Sequence, residues 1–145
     1  MFSHITVGVS DLARAGRFYD ALLMPLGLVR RLVIPDGGPA SLCWCRSGDF
    51  LPRFYAYLPF DGRLSSHGNG SMVAFLAPSI GAVDTAYAQA MRQGGKDEGA
   101  PGRRLRYGPD YYGAYLRDPD GNKLHVVYRS SQKTVDLLSV NETPL

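Results

Sequence analysis

Hydrophobic and polar positions alternate at the start of this chain and then settle into a helical period. In "FSHITVGVS" Ile5, Val7 and Val9 take one face and His4, Thr6 and Gly8 the other, which predicts a strand with one buried side. From Leu12 onward Ala15, Phe18, Tyr19, Leu22, Leu23 and Leu26 form a stripe at helical spacing, with Ser10 or Asp11 where an N-cap belongs. Gly27 is placed to end the helix, while Pro25 predicts that regular helix stops earlier. Three β-type runs follow, "LVRRLVIP", "SLCWCR" and "RFYAYLPF", parted by the turns "DGGPA" and "SGDFLP".

After the Gly-, Ser- and Asn-rich link "DGRLSSHGNGS" the same order begins again. "MVAFLA" reads as a strand, and Ser79 caps a helix carrying Ile80, Val83, Tyr87 and Met91 and ending at Gly94 and Gly95. At an offset of 68 residues Asp11 falls on Ser79, Leu12 on Ile80, Ala15 on Val83, Tyr19 on Tyr87, Leu23 on Met91 and Gly27 on Gly95. Cap, stripe and terminator coincide, so a duplicated unit is expected. "KDEGAPGRRLRYGPD" reads as irregular. "YYGAYLRD" and "KLHVVYRS" then form a hairpin around Pro119 and Asp120, with Gly121 where positive φ is wanted. The expected organisation is one domain over 1–145, with module one at about 1–60, module two at about 71–129 and a polar tail at 130–145. Within that tail "TVDLLSV" could dock as an arm.

Composition adds limits. A chain of 145 residues is long enough to remove roughly 70% of its unfolded surface from water, and 45% hydrophobic residues, nine Tyr and six Phe argue for a folded core. The formal charge of +3 comes from 16 basic and 13 acidic side chains spread along the sequence, so a nucleic-acid partner is not expected. No apolar run approaches the ~20 residues of a membrane span, so no membrane partner is expected and a cytoplasmic location is the default expectation. No nucleotide cofactor is expected either. Cys43 and Cys45 fall on one strand face about 7 Å apart, which suits packing better than a disulfide. The densest basic run, "GRRLRYG", brings Arg103, Arg104, Arg106 and Tyr107 together, either as a solvated loop or as a hold for an anionic or planar ligand.

The duplicated strand-helix-three-strand unit, His4 near the start of the first strand and "DPDGN" before the last strand together resemble the vicinal oxygen chelate superfamily of glyoxalases, bleomycin-resistance proteins and extradiol dioxygenases. "GGKDEGAPG", "YGPDYYGAY" and "RDPDGNKL" are similar to its bacterial glyoxalase-like members, and the resemblance runs from Met1 to about Arg129. It implies an α+β fold of two tandem βαβββ modules whose sheets form an open cup with helices outside and a small-molecule site within. Cups of this superfamily often involve two chains, which makes a homodimer the expectation. Many members hold a divalent metal, such as Zn, Mn, Ni or Fe, which stabilises oxyanion charge as a Lewis acid.

The family's ligand positions can be checked one by one. His4 matches the first and lies on the face that would line the cup. The second falls between Phe54 and Tyr57, where no usual ligand stands, and the third falls on Met72, a thioether better suited to soft copper. At the fourth, the family's common Glu is replaced by His125, which is metal-competent as a neutral imidazole. The resemblance therefore leaves several outcomes open: a lyase or isomerase using a metal on His4 and His125, a metal-free cup that either turns its ligand over with His125 or His4 as the acid or base or merely sequesters it, or an interaction protein. A dioxygenase is disfavoured by the incomplete ligand set. Thr6, Trp44, Tyr57, Met72, Arg106, Tyr107, Tyr112 and Arg129 are the candidates for contacting the small molecule.

Overall fold

The computed structural model describes residues 1–130, so the expected tail beyond Ser130, with its "TVDLLSV" arm, lies outside the described residues. Module one runs β1 (His4–Gly8), α1 (Leu12–Leu23), β2 (Leu28–Arg31), β3 (Ser41–Arg46) and β4 (Arg53–Tyr57). Asp11 supplies the cap, its carboxylate accepting from the Arg14 amide at 2.9 Å, which satisfies one of the donors a helix start leaves free. As Pro25 predicts, α1 ends at Leu23 and a single 3-10 turn, Met24–Leu26, leads to Gly27 at φ 85°. A left-handed residue there costs glycine nothing and reverses the chain into β2. The sheet is ordered β1-β4-β3-β2, with β1 parallel to β4.

Module two repeats this with β5 (Val73–Leu76), α2 (Ile80–Arg92), β6 (Lys96–Arg103), β7 (Tyr112–Arg117) and β8 (Lys123–Tyr128), ordered β5-β8-β7-β6. The segment read as irregular is β6. It pairs with β7 through two register shifts, around Gly99 and Gly102, and only an edge strand tolerates such bulges and Pro101. The β7–β8 turn has Gly121 at φ 91°, as its sequence predicts. Asp118 anchors that turn. Its carboxylate accepts from the amides of Asp120 and Asn122 and from the Asn122 side chain.

The two modules share one core. Each sheet carries its helix on one face, and α1 and α2 pack on each other with Phe18, Tyr19, Trp44, Phe54, Phe75 and Val83 between the sheets. The Phe54 and Phe75 rings meet edge-to-face at 5.1 Å across the module boundary, and each large side chain buried there stabilises by roughly 1.5–3 kcal/mol. Polar ties cross it too. Tyr19 OH donates to Asp118 at 2.6 Å, and Asn122 Nδ2 donates to the Gly8 carbonyl at 2.9 Å. Because both helices lie on the shared side, the opposite face of each sheet is bare of helices, although side chains of the protein's own strands and loops cover parts of it.

Candidate functional site

The bare face of the first sheet forms a trough of about 980 Å³ with His4, Thr6, Tyr55 and Tyr57 on it and the β2–β3 loop along its rim. The sequence run "LVRRLVIP" does not stay in the sheet. Strand pairing stops at Arg31, and Leu32 to Pro35 turn away to border the trough. His4 is exposed, its Nδ1 3.1 Å from Ser3 Oγ and its ring edge-on to Tyr55 at 5.8 Å. Arg53 donates to the Tyr55 hydroxyl at 3.2 Å. Beneath them Cys43 lines the trough as a free thiol whose pKa burial pushes up, so it stays protonated and packs as expected.

On the bare face of the second sheet His125 is 1% exposed. Its ring stacks on Tyr115 at 4.0 Å, with Tyr111 nearly parallel at 5.8 Å on another side. Gly113 makes the slot possible, since a Cβ there would stand 2.6 Å from His125 Cε1. Both ring nitrogens are engaged. Nδ1 lies 2.8 Å from the Ala114 carbonyl, which can only accept, so Nδ1 carries the proton; Nε2 then accepts from the Tyr111 hydroxyl at 2.8 Å. Burial lowers the imidazole pKa, the Ala114 bond opposing it, so the neutral tautomer is the stable one at neutral pH.

Register fixes how the two faces correspond. Thr6 pairs with Tyr55 and Ala74 pairs with His125, and Thr6 and Ala74 are related by the offset of 68, so Tyr55 is the counterpart of His125. By the same offset Met72 is the counterpart of His4. The model of the "Glyoxalase/Bleomycin resistance protein/Dioxygenase superfamily" matches residues 1–126. The chain belongs to this superfamily.

A glyoxalase/bleomycin resistance protein from Albidiferax ferrireducens T118 is 37% identical, with 90% of this chain and 99% of that one covered and a TM-score of 0.74. A lactoylglutathione lyase from Agrobacterium tumefaciens shares the fold at 21% identity and TM-score 0.59, covering 88% of this chain and 92% of its own. A family enzyme from Burkholderia phytofirmans PsJN does so at 16% and 0.65, covering 87% and 96%. No curated protein matches.

The divalent metal that many glyoxalase-superfamily members use can be tested against these residues. Catalytic metals usually keep three protein ligands and an open position. Here the four symmetric positions hold His4, Tyr55, Met72 and His125, and the His125 lone pair is already taken by Tyr111. Among the described residues no three His, Cys, Asp or Glu side chains converge. One hydrogen bond, worth about 0.5–1.5 kcal/mol net, would not by itself keep an ion away. The shortage of ligands is the larger obstacle, and the residues present do not fit the ion.

Of the other predicted contact residues, Thr6 and Tyr57 line the trough, while Arg106, Tyr107 and Arg129 gather near the His125 face and Met72 is exposed just before β5. Two lie elsewhere. Trp44 faces the helices, fully buried, with Nε1 donating to Asp20 at 2.9 Å, because strand alternation sets it opposite Cys43 and Cys45. Tyr112 also turns to the helix side, donating to Asp84 at 2.7 Å. The sequence does not single out Tyr55 within Phe54 to Tyr57, and it offers Tyr111 and Tyr115 only as part of a phenol cluster with Tyr107 and Tyr112 that could hydrogen-bond an oxygen-rich ligand or serve dimer contacts. Parity held the signal for Tyr111 and Tyr115, since positions 111, 113 and 115 alternate with 112 and share the His125 face.

Proposed function

We propose that this protein binds a small oxygen-bearing molecule in a cup without a resident ion, in the manner of a sequestering, bleomycin-resistance-type member of its superfamily. The observation that carries this reading is the shortage of ligands, His4 and His125 being the only usual metal ligands at the four symmetric positions and both His125 nitrogens being engaged. The cup is composite: the trough of one copy closes over the His125 face of a second copy. Two facts support this. The trough is lined only by positions 4–60, and Leu76, 55% exposed on β5, and Met72 beside it leave an apolar margin on the second sheet for a partner to cover. Thr6 and Tyr57 from one copy, and Met72, Arg106, Tyr107 and Arg129 from the other, contact the ligand.

Two measurements test it. Sedimentation velocity of the untagged chain should give a dimer that Leu76→Asp dissociates, and a monomeric wild type would contradict the composite cup. A calorimetric screen against planar drugs and thiol adducts should find binding without turnover.

Turnover as a lyase or isomerase is the second reading. It is favoured by His4, whose exposed Nε2 has no hydrogen-bond partner among the described residues and could serve as acid or base at the trough. It predicts a product in the same screen, lost in His4→Ala while binding is retained.

A further inference from the structure

The second sheet's bare face holds guanidinium groups that form no ion pair among the described residues. Arg129 lies over the Tyr111 ring at 5.5 Å, Arg104 over Tyr115 at 5.8 Å and Arg106 over Tyr107 at 4.8 Å. The rings they cover are one contiguous group, with Tyr107 against Tyr111 at 5.1 Å and His125 contacting both Tyr111 and Tyr115. None of these three arginines forms an ion pair among the described residues, whereas Arg117 and Lys123, on the same face, are both held by Glu98. The Asp110 carboxylate accepts from the Ser130 amide and feels the Arg129 charge as a lesser pull, without forming an ion pair with it.

Three like charges gathered over one aromatic group repel one another, and cation–π contacts offset this by only about 0.5–1 kcal/mol each where solvent reaches. A bound oxyanion removes the repulsion and gains charge-assisted hydrogen bonds in the geometry a guanidinium favours. The Tyr111 hydroxyl cannot supply such a bond, because its proton is committed to His125. The arginines are the cationic donors left for an anion at this face, and the tyrosine rings offer its organic body an apolar wall.

We propose that the ligand of this cup is a small organic anion, its carboxylate or phosphate held by Arg104 and Arg129 with Arg106 at the margin, and its aromatic or apolar body against Tyr107 and Tyr111. This rests on the reading of the His125 face as half of a small-molecule cup. It goes further by naming the charge and the anchoring groups.

Calorimetry on the full chain with benzoate, phenyl phosphate and benzyl alcohol tests it. The expected result is that benzoate or phenyl phosphate binds at least about tenfold more tightly than the neutral alcohol, the loss of one charge-assisted contact being worth about that much. The better of the two identifies the oxyanion. Arg104→Gln with Arg129→Gln should abolish the preference, and Arg92→Gln, which removes one positive charge at the exposed end of α2 just as Arg129→Gln does at the cup, should keep it. Arg104 also donates to the Ala100 carbonyl and its loss could loosen β6, so Arg129→Gln alone, at an exposed residue making no hydrogen bond among the described residues, serves as the second variant and should weaken anion binding. Benzyl alcohol binding as tightly as the anions, or a preference that survives both arginine variants, overturns the inference while the small-molecule cup stands. Failure of every probe to bind overturns it as well, with the cup still judged by its own ligand screen.

Discussion

The proton of His125 sits on Nδ1 because the Ala114 carbonyl beside it can only accept, and this one assignment shapes the site. A neutral, buried imidazole has a sign-definite effect on stability. Its folded pKa lies below the ordinary 6.5, so between the two values the unfolded chain binds more protons than the native one. Stability is therefore full above about pH 6.5 and falls as the pH drops toward the folded pKa. We expect melting temperature to decline between pH 7 and 5.5 in the wild type and to be flatter over that interval in His125→Gln. Gly113→Ala probes the slot. Its new methyl would stand 2.6 Å from the imidazole and 3.0 Å from the Val126 carbonyl, one of them fixed backbone, so a loss of about 1–3 kcal/mol is expected by denaturant titration. Tyr111→Phe should cost a similar 1–3 kcal/mol by stranding the buried Nε2.

Among the elements, the duplication was legible because helices announce themselves by caps and stripes. Asp11 and Ser79 cap as read, and Gly27 and Gly121 take the positive φ their turns require. Strand β6 was not legible, since Gly99, Pro101 and Gly102 erase its alternation and pairing with β7 alone makes it a strand. Likewise "LVRRLVIP" has β-forming residues throughout, yet its second half leaves the sheet and borders the trough. The turn before β8 owes its place to Asp118, a carboxyl whose pKa burial pushes up against the pull of Tyr19 and Asn122. Tyr19→Phe removes the tie from α1 to that turn, and a loss of about 1–3 kcal/mol should appear in the same titration.

For the whole molecule, alternation told which residues share a face, but not how the faces are disposed. Cys43 and Cys45 were placed on one face of β3 from sequence, and the structure sets Trp44 between them on the other. That the two helices would pack on each other, leaving the His4 and His125 faces bare on separate sheets, depends on contacts between modules that no local pattern encodes. The metal question belongs to this scale, because a shared ion would have to join faces that one chain holds apart. Elemental analysis of untagged protein purified without chelators addresses it most directly. We expect substoichiometric metal that does not change in His4→Ala with His125→Ala, whereas one bound divalent ion per chain, lost in that double variant, would contradict the account.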